Sequence, residues 1–555
     1  MVRQSGRFIL WVRILMLVEQ VQASRSETGP FLHRFVPAAI LILLSLPSLL
    51  FVWHNRDAPH FGILQDDGIY LIDGKALAQG AGYRILSLPT QPFDTRYPPL
   101  YPLYLSLAWR SIPAFPATLS AAIMLSWFNF PAVLMLAYFW CQRHGFPVPI
   151  TWLVLGSFAL NPYVLFFVSN LGSEMMFMVF LLGAILVAER QVSGAWSQGW
   201  RGPLLAGVIA GAGYLTRTSG VALLPAAIAY YLWKKQPRGA LWFTLGMLPA
   251  IAGWTLWSRI HAAPAHDVVT LCYTNYLGYY FMNVGWDNLG YILWRNLSAL
   301  LESMGSLIFP QAMEEGPLAK LILWPLAVVM MLGCVRMVRQ GRGRLYALYG
   351  GISLAMLLVW HYQPNQRFVL PLAPLLLAGF CFEMVDMAER FRKAIAHPRR
   401  TRRLAAYSSA GCVVTVLTGG LVLQLSMDVA VVPNLFRDDR SNTLAYRSIY
   451  AWIANHLPAD ANILWQDDTA LYLATGRHAV SFVIPPREFE ATGGDAGEAA
   501  RYKGIAEYAR QQHLDYVLLA KIGLRHNDQV LRDAAANPNL EPVHEEKGGI
   551  LYRVR

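Results

Sequence analysis

"AERFRKAIAHPRRTRRLAAYSSAGCVVTVLTGGLVLQLSM" occupies residues 388–427. Its first sixteen residues carry seven Arg or Lys, and the twenty-four that follow carry no charge. Roughly 20 apolar residues cross a bilayer core, and short basic loops stay on the cytoplasmic side. The stretch therefore reads as a cytoplasmic loop (388–403) followed by an outward span (404–427). Everything from Asp428 onward is then expected outside.

The same logic runs backward along the chain. Span 366–387 enters, and 345–362 leaves from the basic loop 336–344. Span 317–335 enters, and 239–258 leaves from "KKQPR" (234–238). Residues 203–233 hold one charge, Arg217, and are flanked by basic residues on both sides. That pattern reads as a hairpin with "TRTSG" (216–220) at its tip and Gly220 as breaker. Spans 173–189, 148–168, 119–140 and 36–53 complete the set. The expectation is an α-helical polytopic membrane protein with 11 spans, or 13 if part of loop 259–316 dips into the bilayer. Residues 1–35 read as a cytoplasmic N-terminal segment and 36–427 as the membrane-embedded domain. The first external loop is 54–118, in which "RYPPLYPLYLSLAWRSI" (96–112) reads as an interfacial helix. Residues 428–555 alternate short β-rich runs such as "DYVLLA" with helical stretches, so a small extracytoplasmic α/β domain is expected there.

Composition agrees. Of 555 residues, 55% are hydrophobic and 14% charged, against about 25% charged in soluble domains. The net charge of +12 is spread over short loops rather than one soluble face, which argues against a nucleic-acid partner. Five scattered cysteines make no disulfide framework or Cys-x-x-Cys site. His261, His266 and Asp267 share a loop without metal-ligand spacing. "ATGGDAGE" (491–498) is Gly-rich but lacks a phosphate-binding lysine.

This map gathers Asp66, Asp67, Glu174, Arg217 and Arg367 on the external side. Glu174, Arg217 and Arg367 each adjoin a membrane-depth segment, where a charge costs roughly 2.5–3.5 kcal/mol on insertion scales. Asp66 and Asp67 head a helical pattern, and Tyr70 and Asp73 can share its face. Two readings fit the acidic pair: helix N-terminal carboxylates that complement the dipole, or a general base at a cleft. Two also fit the arginines: interfacial anchors, or a bidentate clamp on a phosphate. Carboxylates with two arginines outside the cytoplasm, where nucleotide sugars are absent, suit transfer from a lipid-linked phosphate donor.

Five ordered stretches carry a family resemblance: "DDGIYLIDGKALAQGAGY", "RYPPLYPLYLSL", "NPYVLFFVSNLGSEMMFMVFLLGA", "GVIAGAGYLTRTSGVALLPA" and "QRFVLPLAPLLL". In this order they resemble the C-type integral-membrane glycosyltransferases, and in particular bacterial relatives of the dolichyl-phosphate-mannose protein mannosyltransferases and the lipid A aminoarabinose transferases. The resemblance implies their fold and transfer of a sugar, with inversion, from a polyprenyl-phosphate donor to an envelope acceptor (protein, lipid or polysaccharide). It implies that Asp66 or Asp67 is the base, Asp66 being favoured, although many members have Asp-Glu here. Tyr97, Pro98 and Pro99 match the Tyr-Pro-Pro motif that shapes the cleft, Glu174 matches the "SE" motif, and Arg217 and Arg367 match the donor-phosphate arginines. Tyr70 joins the substrate-binding set. No cofactor is implied, and a divalent cation at the acidic pair is left open. The resemblance points to a bacterial plasma (inner) membrane, with the site and the C-terminal domain facing out.

Two other classes compete. A transporter of a lipid-linked or anionic substrate also carries midplane charges and broken helices, but it should show internal repeats, and none is found between the halves. A non-catalytic scaffold for envelope polymers would tolerate loss of the acidic pair.

Overall fold

The computed structural model describes residues 32–62, 64–192, 199–264, 268–275, 278–279, 288–310, 317–396, 400–483, 502–522 and 527–555. The N-terminal segment to residue 31, His266, Asp267 and the Gly-rich 491–498 lie outside them.

Helices dominate the described residues up to His456. In order they are α1 (Leu32–His54), α2 (Asp66–Gln79), α3 (Leu100–Ser111), α4 (Ala117–Trp127), α5 (Asn129–Arg143), α6 (Val148–Ala159), α7 (Pro162–Val168), α8 (Glu174–Val192) and α9 (Arg201–Thr216). Then follow α10 (Leu223–Trp233), α11 (Pro237–Ile260), α12 (Val268–Thr274), α13 (Leu289–Gly305), α14 (Pro317–Arg339), α15 (Arg344–Leu358), α16 (Gln366–Val369), α17 (Ala373–Ile395), α18 (Arg400–Ser426) and α19 (Val432–His456). Each of the eleven expected segments carries a helix. Among the described residues six helical stretches are long and apolar enough to cross a membrane, and a seventh is counted if α6 and α7, bent by 56°, form one span. The chain is a multi-pass integral membrane protein.

The break between α9 and α10 falls at Arg217, whose backbone is extended, and a 3-10 turn (Thr218–Ala222) follows. Gly220 serves packing there rather than a left-handed turn: an added Cβ would come within 3.1 Å of Phe177. Helix α18 runs through one π turn (Met427–Val431) into α19, so the last span and the first helix of the C-terminal region are nearly continuous.

Beyond α19 the chain forms β1 (Asn462–Leu464), α20 (Asp468–Thr475), β2 (His478–Val480), α21 (Ile505–Gln511), β3 (Tyr516–Ala520), α22 (Asn527–Ala535), β4 (Leu540–Glu545) and β5 (Gly549–Val554). The sheet order is β2-β1-β3-β5-β4. β1 pairs parallel with β2 and β3, whereas β5 pairs antiparallel with β3 and β4. Central β3 is buried along its whole length, as a strand covered on both faces must be.

This domain sits on the first loop. Arg440 grips Asp57 with two 2.8 Å bonds, His60 pairs with Asp439, and the Ala479 N–H donates to the Ser87 carbonyl at 2.9 Å. Helix α20 lies directly against α2. A Cβ on Gly68 would come within 2.6 Å of the Thr469 Cβ, and one on Gly62 would collide with the Asp467 carboxylate. Helix α2 is consequently covered all round, including Asp67, Gly68, Ile69, Tyr70, Leu71 and Ile72.

Candidate active site

The site begins at the start of α2. Gln65 adopts a left-handed backbone (φ 57°), an uncommon conformation for a non-glycine residue, and the helix begins at the next residue. Neighbouring residues on a helix point about 100° apart, so Asp66 and Asp67 face different surroundings. Asp66 accepts a bond from Arg367 Nη1 at 2.8 Å and one from the Tyr97 hydroxyl, with Arg96 Nη2 at 3.9 Å. Asp67 turns toward backbone, accepting the Gly62 N–H at 3.0 Å and the Gly68 N–H at 2.9 Å.

The start of α8 supplies the next layer. Glu174 is 1% exposed, and its Oε1 takes both Arg217 Nη1 at 2.5 Å and Arg367 Nε. Arg217 also donates to Ser173 Oγ at 3.1 Å. Tyr70 lies behind this cluster. Its hydroxyl meets Ser173 Oγ at 3.2 Å, and its ring meets Tyr97 and Tyr101 edge-on at 5.0 and 5.1 Å. Tyr70 is thus part of the wall. Pro98 is buried between Tyr97 and the start of α3.

Four distant segments therefore meet in one ionic cluster: Asp66 from α2, Glu174 from α8, Arg217 at the α9 break and Arg367 in α16. Arg367 Nη2 is buried without a hydrogen-bond partner among the described residues. A buried donor of this kind is costly unless a ligand or water completes it.

The two carboxyls of the acidic pair differ electrostatically. Burial alone would raise Asp66, but Arg367 and Arg96, with the Tyr97 hydroxyl and Arg217, hold it below the usual carboxylate range. Among the described residues Asp67 accepts no guanidinium bond, and Arg367 acts on it only through space. Burial pushes it up to about 7, against the bonds from Gly62 and Gly68. Asp66 is the ionised member, and Asp67 faces the C-terminal domain.

Sequence reasoning brought out Asp66, Tyr97, Glu174, Arg217 and Arg367, which meet here. It missed Arg96, although the residue directly precedes the Tyr-Pro-Pro motif. Its guanidinium stacks on the Tyr97 ring at 4.8 Å and donates to the Cys272 carbonyl at 3.0 Å. Among the described residues no group of three His, Cys, Asp or Glu side chains is arranged to hold a metal ion.

The chain has the fold of ArnT from Cupriavidus metallidurans, solved in a crystal structure bound to undecaprenyl phosphate: TM-score 0.52 and 11% identity, over 93% of this chain and 98% of that one. The apo structure of the same protein is matched at TM-score 0.48 and 12% identity, with the same coverage. No protein-family model matches the chain, and no curated protein does.

Proposed function

We propose that the protein is a membrane glycosyltransferase that moves a sugar from a polyprenyl-phosphate donor to an extracytoplasmic acceptor. The observation that carries this reading is the cluster in which Arg367 spans Asp66 and Glu174 while Arg217 shares Glu174. It offers two guanidiniums to an anion beside the ionised carboxylate of Asp66. A solved neighbour with this fold, ArnT, is bound to undecaprenyl phosphate, which is the donor's leaving group in this scheme.

The donor phosphate takes up Arg217 and Arg367, including the unsatisfied Nη2 of Arg367. Its negative charge competes with Asp66 for Arg367 and releases that carboxylate. Asp66 then accepts the proton of an acceptor hydroxyl, with Tyr97 holding its other oxygen. The acceptor oxygen bonds to the anomeric carbon as the carbon–oxygen bond to phosphate breaks. The electron pair leaves on the polyprenyl phosphate, where the arginines stabilise it. Fixed positive charge facing a developing anion is where most of the rate gain arises, and the base adds about 10²–10⁴-fold. Arg96 joins the cationic side of the cleft. The C-terminal domain, resting on α2, buttresses the reacting helix from behind. In this reading the site and that domain lie outside the plasma membrane.

The test uses purified protein in lipid nanodiscs with radiolabelled polyprenyl-phosphate sugars, following release of polyprenyl phosphate. Turnover that falls by at least 100-fold in Arg217→Ala and Arg367→Ala, with folding intact, is expected. Full turnover in both variants would sink the assignment.

A further inference from the structure

Two carboxyl groups next to the site take no part in the chemistry just described. Asp73 lies two turns after Asp66 on α2 and is wholly buried. Among the described residues neither of its carboxyl oxygens receives a bond from a backbone N–H or a cation; the one hydroxyl within reach, that of Tyr83, donates to the Tyr97 carbonyl. Asp94, also wholly buried, faces it within hydrogen-bonding reach. Asp94 Oδ1 is already committed, accepting the Arg96 N–H at 2.6 Å and the Tyr97 N–H at 3.1 Å. Its Oδ2 has no fixed donor either.

Two buried carboxylates cannot face each other ionised, because like charges at that range oppose ionisation of both. Acceptors facing acceptors also leave lone pairs unsatisfied, which burial penalises. One proton between them removes both penalties. Its place follows from the other bonds. Asp94 takes two backbone N–H groups, which favour its ionised form, so Asp73 is the acid and donates to Asp94 Oδ2.

The turn held in this way is the one that carries Arg96 and Tyr97. Further bonds converge on it. Asp94 N–H donates to the Tyr83 carbonyl at 3.1 Å, the Tyr83 hydroxyl donates to the Tyr97 carbonyl at 2.9 Å, and Trp257 Nε1 donates to the Asp94 carbonyl at 2.9 Å. The Asp73–Asp94 contact is a further tie from this turn to α2, two turns beyond the one that Tyr97 makes to Asp66.

We propose that Asp73 and Asp94 share one proton as an acid–carboxylate pair, and that this pair positions the Arg96–Tyr97 turn against the helix that carries Asp66. They are positioning residues, acting through Tyr97 and Arg96 on the base. The inference rests on the transferase reading for what the turn is positioned to do. The existence of the pair stands apart from it.

The pair makes the turn sensitive to alkali. The ionisable groups facing it are Tyr83 toward both carboxyls and Arg96 toward Asp94; where α3 packs on α2 at Gly74, the neighbours are Pro102, Leu105 and Ser106. Burial raises Asp94 to about 6 and, with Asp94 beside it, Asp73 well above the usual range. The two facing carboxyls hold one proton between them because both cannot ionise together, and that proton is lost as pH rises. Two adjacent charges then push the turn from the helix. The carboxyls titrate as one unit.

The experiment compares wild type with Asp73→Asn, whose amide gives Asp94 a permanent N–H, and Asp73→Ala, which gives it none. Infrared spectra of the full protein in nanodiscs, taken at neutral and alkaline pH, should show a protonated-carboxyl band in wild type that Asp73→Asn lacks. The alkaline fall in the thermal midpoint should be shallower in Asp73→Asn. Transfer by Asp73→Asn should stay within threefold of wild type at neutral pH and lose the alkaline decline, whereas Asp73→Ala should lose at least tenfold. An unchanged infrared spectrum in Asp73→Asn overturns the shared proton. A lost band with the wild-type pH–rate profile retained overturns the positioning role. Wild type without turnover, but with the band and its loss in Asp73→Asn, counts against the transferase reading and leaves the shared proton standing.

Discussion

Replacing Glu174 by Gln removes the charge that two arginines share and keeps the side chain's shape. Glu174 Oε1 takes Arg217 at 2.5 Å as well as Arg367 Nε. Breaking a buried pair by removing one partner costs about 3–5 kcal/mol. Arg367 keeps Asp66 at 2.8 Å and Arg217 keeps Ser173 at 3.1 Å, so the loss should fall at the lower end, about 3 kcal/mol. The same change strengthens the site for an anion. For an anion at a separation of about 7 Å, a lost negative charge is worth ~2 kcal/mol at an effective dielectric of 20, or about 30-fold in affinity. The assay is thermal unfolding in nanodiscs across a titration of undecaprenyl phosphate. Glu174→Gln should melt lower than wild type without ligand, yet bind the phosphate more tightly and regain much of the difference. Equal stability, or affinity that is unchanged or weaker, would refute the reasoning that Glu174 is the countercharge the phosphate works against.

Three further outcomes follow from the same contacts. Gly68→Ala should destabilise the protein even though Ala is normally about 1 kcal/mol better than Gly in a helix, because the new Cβ meets Thr469; adding Thr469→Gly should recover part of the loss in the melting temperature. Tyr97→Phe removes one of the groups that hold Asp66 low, so the acid limb of the pH–rate profile should move to higher pH. Burial raises Asp67 to about 7, above the ~3.9 of an unfolded Asp. The stability linked to its proton is complete below about pH 4 and is lost as pH rises through 7; the decline in melting temperature between pH 5 and 8 should be shallower in Asp67→Asn.

Much of the fold was legible because charge and hydropathy act locally. The basic loops 336–344 and 388–403 fixed where helices α14, α15, α17 and α18 lie, and a lone Arg217 in an apolar run marked a true break. The strands β1, β2, β3 and β5 announced themselves as β-rich runs. β4 did not: "LEPVHE" carries Pro542 and alternates polar residues, as an edge strand with a bulge can. The acidic pair was visible as a pair, but its division of labour was not. That depends on a helical rotation of one residue and on which neighbours arrive from α16 and α20. Arg96 and Asp94 did not stand out because their partners, Asp66 and Asp73, lie 30 and 21 positions away. No local pattern reports such a meeting.

The most direct measurement is the ratio of polyprenyl-phosphate release by Asp66→Asn and Asp67→Asn, each against wild type in nanodiscs with donor and acceptor present. The contacts of Asp66 with Arg367 and Tyr97 predict at least a 100-fold loss on its replacement, with Asp67→Asn retaining turnover within about tenfold. Equal loss in both would make the pair act as one unit, and loss confined to Asp67→Asn would contradict the assignment of Asp66 as the base.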